Sequence, residues 1–143
     1  MDNLTRDQLK EVYLGYIDCI NNRRFGELDK YLCEDVSRNG ELLGLSGYIA
    51  MLENDYVMIP DLYFKVDLLV FESPYVVSRI HFQCSPIDGF LGFKFSGNQA
   101  EFFENVIYQF KGGRISNVMS AIDTSLLAAK FQLTEHSNSP GRM

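Results

Sequence analysis

The sequence predicts an α+β domain, because helical periodicity fills its first part and strand periodicity fills its second part. Apolar residues recur every three or four positions over 9–20 and again over 48–56, as on one side of a helix. From Leu62 onwards apolar and polar residues alternate, as in strands that bury one face. Helices followed by strands predict one helical layer packed on one antiparallel sheet.

Local signals set the expected bounds of the helices. Thr5 and Gln8 have the spacing of a capping box, which predicts the start of the first helix. A short second helix is expected over 25–32. Ser46 is expected to open a third helix, and Pro60 to end it.

The second half is predicted to form a meander of long strands. In the first strand, alternation places Phe64, Val66, Leu68 and Val70 on one face. A short extended segment broken at Asn39-Gly40 is expected before the third helix. The predicted strands cover residues 62–71, 75–84, 100–110 and 114–122.

The predicted domain covers residues 1–133. Its last element is a short helix over 125–133, and the polar tail over 134–143 is expected to be disordered. Residues 90–95 are expected to form either a short strand or part of a loop.

Composition argues against several classes of function. The formal charge is −6 and basic residues do not cluster, so we expect neither nucleic acid nor an anionic membrane as a partner. Three cysteines without metal or redox spacing predict reduced thiols. No signal peptide or membrane span is expected, which predicts a soluble cytoplasmic protein. Aromatic residues make up 13% of the chain and could line an apolar pocket.

Several short motifs, in this order and spacing, resemble the SnoaL-like polyketide cyclase family of the NTF2-like superfamily. The resemblance covers about residues 8–127. Its motifs are Ile20-Asn21-Asn22 with Phe25, Arg38-Asn39-Gly40, Ile59-Pro60-Asp61-Leu62, Arg79-Ile80-His81-Phe82, Phe90-Leu91-Gly92, Phe103-Glu104-Asn105-Val106-Ile107-Tyr108, and Gly112-Gly113-Arg114-Ile115 leading to Ile122-Asp123.

The resemblance implies a cone-shaped fold whose curved antiparallel sheet and helices enclose a pocket. It also implies acid–base chemistry without cofactor or metal. Within the family, the chain is similar to small fungal isomerases of meroterpenoid and alkaloid metabolism, which implies a bulky polycyclic substrate with carbonyl or ester groups. Asn105 and Met119 stand where polyketide cyclases of the family often have histidine and tryptophan, which argues against aromatic aldol cyclisation.

Two aspartates are the candidate acid and base. Asp123 lies within a few residues of the position of the family's catalytic aspartate, and a carboxylate in an apolar pocket would have a raised pKa. It could instead cap the helix that begins at Ser125. The resemblance places Asp61 in the pocket as the second carboxylate, whereas a structural role would have it bond its own turn.

Basic and amide side chains are candidates for contacting the substrate. Arg79 and His81 share one face of a strand, and either a direct role or a structural one is compatible with the sequence. Arg38 is expected to polarise a carbonyl that Asn39 helps to position, unless both belong to a turn.

The third long strand supplies the remaining candidates. Glu104 and Asn105 must point to opposite faces, and the family pattern places Asn105 in the pocket with Phe103. Tyr63 and Tyr108 are candidate hydrogen-bond donors in the pocket, or packing residues of the sheet.

The sequence therefore predicts a cofactor-independent isomerase or cyclase in which one carboxylate removes a proton and the other donates one. A hydrolase or dehydratase would differ by holding a water molecule beside the carboxylates. A non-catalytic binding or dimerisation module would be indicated if Asp61 and Asp123 both lay outside the pocket. A homodimer is expected, since one face of the sheet needs cover.

Overall fold

The computed structural model of the protein describes residues 4–93 and 99–127. Within these residues, two α-helices pack on one face of a curved six-stranded sheet. The predicted helix over 125–133 begins as expected, with residues 125–127 helical, whereas 128–133 and the predicted tail lie outside the described residues. The α+β class predicted from the sequence is confirmed.

The helical layer consists of α1 (Arg6–Asn21) and α2 (Gly44–Met58). The predicted capping box is present: the Gln8 backbone N–H donates to Thr5 Oγ1 (3.1 Å), and the Thr5 N–H donates to Gln8 Oε1 (2.8 Å). α2 begins at Gly44, two residues before the predicted start. The expected second helix is a shorter 3-10 helix, Phe25–Lys30.

The sheet has the strand order β2-β1-β6-β5-β4-β3. The bounds of its long strands agree with the predicted ones to within three residues at each end. The predicted turn at Asn39-Gly40 is present, with positive φ angles of 50° and 83°, and it separates the first two strands. The bounds are β1 Leu32–Arg38, β2 Glu41–Leu42, β3 Lys65–Glu72, β4 Tyr75–Cys84, β5 Ala100–Lys111 and β6 Arg114–Asp123.

The sheet is not wholly antiparallel, because β1 runs parallel to β6. β1 is separated in sequence from β6, and local periodicity carries no information on such a pairing. The pairing matters for function because it brings the end of β1 beside the middle of β6, with Arg38 opposite Val118.

The alternation predicted for β3 is wrong in its second half. An irregularity between Val66 and Leu68 shifts the register against β4, so the side chains after it change face. Leu68 and Val70 are therefore exposed, whereas Leu69 and Phe71 pack against the core.

We call the sheet face that packs on the helices the inner face, and the opposite one the outer face. Aromatic side chains join the two layers, with the Tyr13 and Tyr108 rings 4.9 Å apart and the Tyr16 and Tyr108 rings 5.7 Å apart. These three rings fill one end of the space between sheet and helices, and the other end remains open as a cavity.

Candidate active site between sheet and helices

We call the cavity between α2, the segment that follows it, and the inner face of the sheet the main cavity, and its volume is 260 Å³. A shallower groove of 420 Å³ lies on the outer face and includes Asn39 and Asn105 in its lining. Most of the lining of the main cavity is apolar, with the rings of Phe82 and Phe102 stacked 4.9 Å apart. Three charged side chains interrupt this lining. The cavity is lined by Arg38, Met51, Asp55, Ile59, Leu62, Phe64, Phe82, Phe90, Leu91, Phe102, Glu104 and Ile122.

Glu104 reaches the cavity because of its place in β5. In the sheet it pairs with Ile80 on one side and Ile122 on the other, so its neighbours across the strands are apolar. Its side chain is 14% exposed. Burial raises the pKa of Glu104, while Arg38 and a hydrogen bond from Ser120 act in the opposite direction.

Arg38 lies at the end of β1, where the parallel pairing brings it to the inner face beside β6. Its Nη2 atom lies 3.5 Å from Glu104 Oε2 and donates a hydrogen bond to Ser120 Oγ (3.1 Å). Asn39 helps to fix this corner: its Nδ2 donates to Ser120 Oγ (3.3 Å), and its Oδ1 accepts from the Ser120 N–H (2.8 Å). Arg38 is thus held with its guanidinium at the cavity wall.

Asp55 faces the same cavity from α2. It shares the buried side of the helix with Tyr48 and Leu52, which are seven and three positions before it in sequence. Burial raises the pKa of Asp55 to about 6, and the nearby Arg38 limits the rise. A carboxylate with this pKa is mostly ionised at neutral pH and is still basic enough to accept a proton.

Beyond the three charged residues lies a second space, which we call the inner compartment. Its volume is 40 Å³, and Arg38, Asp55 and Glu104 line both it and the main cavity. The hydroxyl oxygens of Tyr16 and Tyr48 are 2.7 Å apart at its wall. The site therefore has a large apolar part, a ring of three charges, and a small polar end.

Asp123, Arg79 and Asn105 were expected in the pocket, and this placement is wrong. All three lie on the outer face, where Arg79 Nη1 donates to Asn105 Oδ1 (2.8 Å) and Arg79 Nη2 lies 3.3 Å from Asp123 Oδ2. Asp123 Oδ1 also accepts from the Ser125 N–H and hydroxyl, at 3.1 and 2.7 Å. The Ser125 hydrogen bonds and Arg79 hold the pKa of Asp123 below its usual value.

His81 and Phe103 also lie on the outer face, contrary to the expected pocket position of Phe103. The His81 ring stacks on Phe103 at 4.7 Å, and Arg79 covers the same ring at 4.0 Å. His81 Nε2 lies 2.7 Å from Glu101 Oε2. The cluster is a set of paired surface groups, in which Arg79 lies beside Asp123 and His81 beside Glu101.

Asp61 and Tyr63 are exposed and do not belong to the cavity lining. Asp61 Oδ1 accepts a hydrogen bond from the Ser85 N–H (2.8 Å), which joins the segment after α2 to the end of β4. Both predicted catalytic aspartates thus lie outside the pocket, which is the arrangement that we expected of a non-catalytic binding or dimerisation module. An enzymatic function therefore depends on the other charged residues of the cavity, Arg38, Asp55 and Glu104. Among the predicted site residues, Arg38 lines the cavity, and Asn39 is exposed beside it.

Asp55 was missed, and Glu104 was assigned to the wrong face, although the sequence contains a signal for each. In β5 the even-numbered residues are more apolar than the odd-numbered ones, which places Glu104 on the buried face. In α2, Asp55 interrupts an otherwise apolar stripe. At both positions a charged residue stands among residues predicted to be buried, and this pattern indicates a candidate functional group.

Within residues 4–93 and 99–127, no helix is long and apolar enough to cross a membrane. The same ranges contain no group of three or more histidine, cysteine, aspartate or glutamate side chains arranged to hold a metal ion.

Comparison with known proteins agrees with this architecture. The sequence profile of the SnoaL-like polyketide cyclase family matches residues 10–131, and the chain belongs to this family. A SnoaL-like polyketide cyclase from Agrobacterium tumefaciens is 36% identical, with a TM-score of 0.82 over 87% of this chain and 97% of that one. A search of curated proteins found no match.

Two more distant structures share the fold. TsrD from Streptomyces laurentii is 21% identical, with a TM-score of 0.76 over 91% of this chain and 97% of that one. An NTF2-like protein of unknown function from Burkholderia pseudomallei is 14% identical, with a TM-score of 0.68 over 85% and 95%.

Proposed function

We propose that the protein is a cofactor-independent enzyme that isomerises or cyclises a carbonyl compound through acid–base chemistry. Asp55 is the base, Arg38 stabilises the developing charge, and Glu104 positions Arg38. The observation that carries this proposal is the raised pKa of both carboxyls inside an apolar cavity, beside an arginine. Perturbed carboxyls of this kind mark acid–base sites. Membership of a cyclase family supports the same class of reaction.

In the proposed mechanism, Asp55 is the base. Its carboxylate removes a proton from the carbon next to a carbonyl, and the electrons of the C–H bond move onto the carbonyl oxygen. Arg38 stabilises the negative charge that develops on this oxygen. Asp55 then returns the proton to another carbon, which completes an isomerisation. Alternatively, the enolate carbon attacks a second carbonyl and closes a ring, and the alkoxide formed from that carbonyl takes the proton back from Asp55.

Glu104 has a different task from Asp55 in this mechanism. It lies 3.5 Å from Arg38 and holds the guanidinium at the cavity wall, together with Ser120. Its cross-strand neighbours are Ile80 and Ile122, so Arg38 is its charged partner. In this mechanism Glu104 therefore positions the arginine and does not accept the substrate proton.

The lining of the main cavity defines the substrate by its apolar body. The stacked Phe82 and Phe102, with Phe90 at 5.2 Å from Phe102, offer flat surfaces to a ring system. At 260 Å³ the cavity is smaller than the range of about 300–1,000 Å³ found for drug-sized ligands. The narrower prediction is that the substrate is a polycyclic meroterpenoid of fungal metabolism. A substrate of that size would have to extend partly outside the main cavity.

The proposal is tested by deuterium exchange into a small bicyclic ketone, 2-tetralone, followed by NMR in heavy water. We expect the protein to accelerate exchange next to the carbonyl, and Asp55→Asn to reduce the rate by about 10²–10⁴-fold. Asp61→Asn is the matched control and is expected to change the rate by less than about twofold. Exchange at the buffer rate, or equal losses in the two variants, would contradict the proposal.

We further propose that a second copy of the chain covers the outer face. Val70, Val77, Ile107 and Met119 are direct partners across four strands and form an exposed apolar row. The paired charges of Arg79 and its neighbours flank this row. Sedimentation should show a dimer that Val77→Lys dissociates, whereas a monomeric unmodified protein would contradict the proposal.

A further inference from the structure

We propose that the inner compartment binds water and that the enzyme uses this water to hydrolyse a small lactone or ester held in the main cavity. The inference rests on the proposed function for the place of the substrate carbonyl. It adds a reactant, water, and a second activity that proton abstraction alone does not supply.

Size is the first argument. A cavity of about 150 Å³ is needed for a single benzene ring, whereas one water molecule needs only about 10–15 Å³. At 40 Å³ the inner compartment is too small for any ring of the substrate and large enough for water. Because Arg38, Asp55 and Glu104 line both spaces, water in the inner compartment would lie beside the same charged groups as the end of the substrate.

Hydrogen-bonding capacity is the second argument. A buried water needs two to four polar partners. The carboxylates of Asp55 and Glu104 can accept from it, and Arg38 can donate to it. The hydroxyls of Tyr16 and Tyr48 carry two protons but share one hydrogen bond (2.7 Å), which leaves the second proton to donate into the compartment.

The position of this water relative to the substrate carbonyl is the third argument, because it allows the water to react. A carbonyl oxygen that contacts Arg38 places its carbon at the boundary between the main cavity and the inner compartment, with Asp55 lining both. Water on the inner side can therefore approach the carbonyl carbon from the side opposite the apolar body of the substrate. Asp55 is in reach of both reactants.

The hydrolytic step balances without any further reagent. Asp55 takes one proton from water as the oxygen–carbon bond forms, and Arg38 stabilises the resulting oxyanion. When the carbon–oxygen bond to the leaving group breaks, Asp55 gives its proton to the departing oxygen. A lactone is thereby opened to one hydroxy acid, and Asp55 returns to its ionised form.

A crystal structure at high resolution tests the binding site directly. We expect density for ordered water in the inner compartment, within hydrogen-bond distance of Asp55 and of Tyr16 or Tyr48. A compartment filled by side chains, or one without ordered density, would overturn the inference.

Hydrolysis of dihydrocoumarin, a bicyclic lactone, tests the activity. The protein is expected to hydrolyse it faster than buffer, with about a hundredfold loss in Asp55→Asn. Tyr48→Phe should lower hydrolysis about tenfold, and more than it lowers exchange into 2-tetralone. Tyr56→Phe is the matched control on the same helix, since the Tyr56 hydroxyl donates to the Ile20 carbonyl and does not line the compartment.

A second variant covers the case in which Tyr48→Phe does not fold. Val118→Ile should fill part of the compartment with a methyl group and reduce hydrolysis selectively. Exchange into 2-tetralone without lactone hydrolysis above the buffer rate would overturn the water inference and leave the proposed function standing. Loss of exchange itself would overturn the proposed function.

Discussion

The two faces of the sheet carry carboxylates in opposite electrostatic states. On the inner face, burial raises the pKa of Glu104, and across the cavity it raises the pKa of Asp55 to about 6. On the outer face, Asp123 has a lowered pKa because Ser125 and Arg79 stabilise its charge. The comparison shows that chemistry follows a carboxylate's surroundings and not its presence in a family motif.

The two arginines show the same contrast. Arg38 sits at a cavity wall with Glu104 and Ser120, in a place where a substrate oxygen can contact it. Arg79 lies over the Phe103 ring and is shared by Asn105 and Asp123, so its donors are engaged on the surface. The first can stabilise a developing charge, and the second stabilises its neighbours in the sheet.

In this comparison of the two faces, the largest expected effect follows from replacing each arginine in turn by glutamine. Arg38→Gln removes the charge that faces the substrate oxygen and should slow deuterium exchange into 2-tetralone by about 10²–10³-fold. Arg79→Gln, the same change on the opposite face, should leave the rate within about twofold. Equal losses in both variants would remove the functional distinction between the faces.

A smaller effect is expected on stability, and it has a defined sign. Because folding raises the pKa of Asp55 from 3.8 to about 6, its ionisation opposes folding as the pH rises through that value. Asp55→Asn should therefore stabilise the protein at pH 8 by about 1–3 kcal/mol, and the gain should disappear below about pH 4.

Denaturant unfolding of Asp55→Asn and the unmodified protein at pH 4 and pH 8 checks this prediction. Asp123→Asn is the control of opposite sign, since its lowered pKa means that ionisation favours folding. A stability difference for Asp55→Asn that does not change with pH would show that Asp55 is not desolvated.

The smallest effect concerns the support of Glu104. A hydrogen bond from Ser120 lowers the pKa of Glu104, so Ser120→Ala should raise that pKa further. Ser116→Ala is the matched control on the same strand, because its hydroxyl donates to the Gln109 carbonyl instead. Carboxyl titration by ¹³C NMR measures the shift, and an unchanged Glu104 titration would exclude Ser120 as its support.

Much of the fold could be predicted because the local periodicity of apolar residues determines it. The capping box at Thr5, the strand β4 and the hairpin at Gly112-Gly113 are determined by residues close together in sequence. The parallel pairing of β1 with β6 could not be predicted in this way, since it joins distant segments. The irregularity in β3 is equally invisible to simple alternation.

The candidate site was predicted less well than the fold. Family motifs drew attention to Asp61 and Asp123, which cap or join segments at the ends of the sheet. The even-numbered residues of β5 are its more apolar ones, and this pattern alone places Glu104 on the buried face. Asp55 is identified in the same way, because it interrupts the apolar stripe of α2. Neither identification needs the family resemblance. The alternation of polar and apolar residues along a whole strand is a better predictor of its buried face than a short family motif.

The most direct test of this account is a ¹³C NMR titration of the aspartate carboxyls in the unmodified protein. Asp55 is expected to titrate near pH 6, and Asp123 below 3.8, its usual value. If Asp55 instead titrates near 3.8, its carboxylate is hydrated like a surface group, and the inner face is not the site of acid–base chemistry.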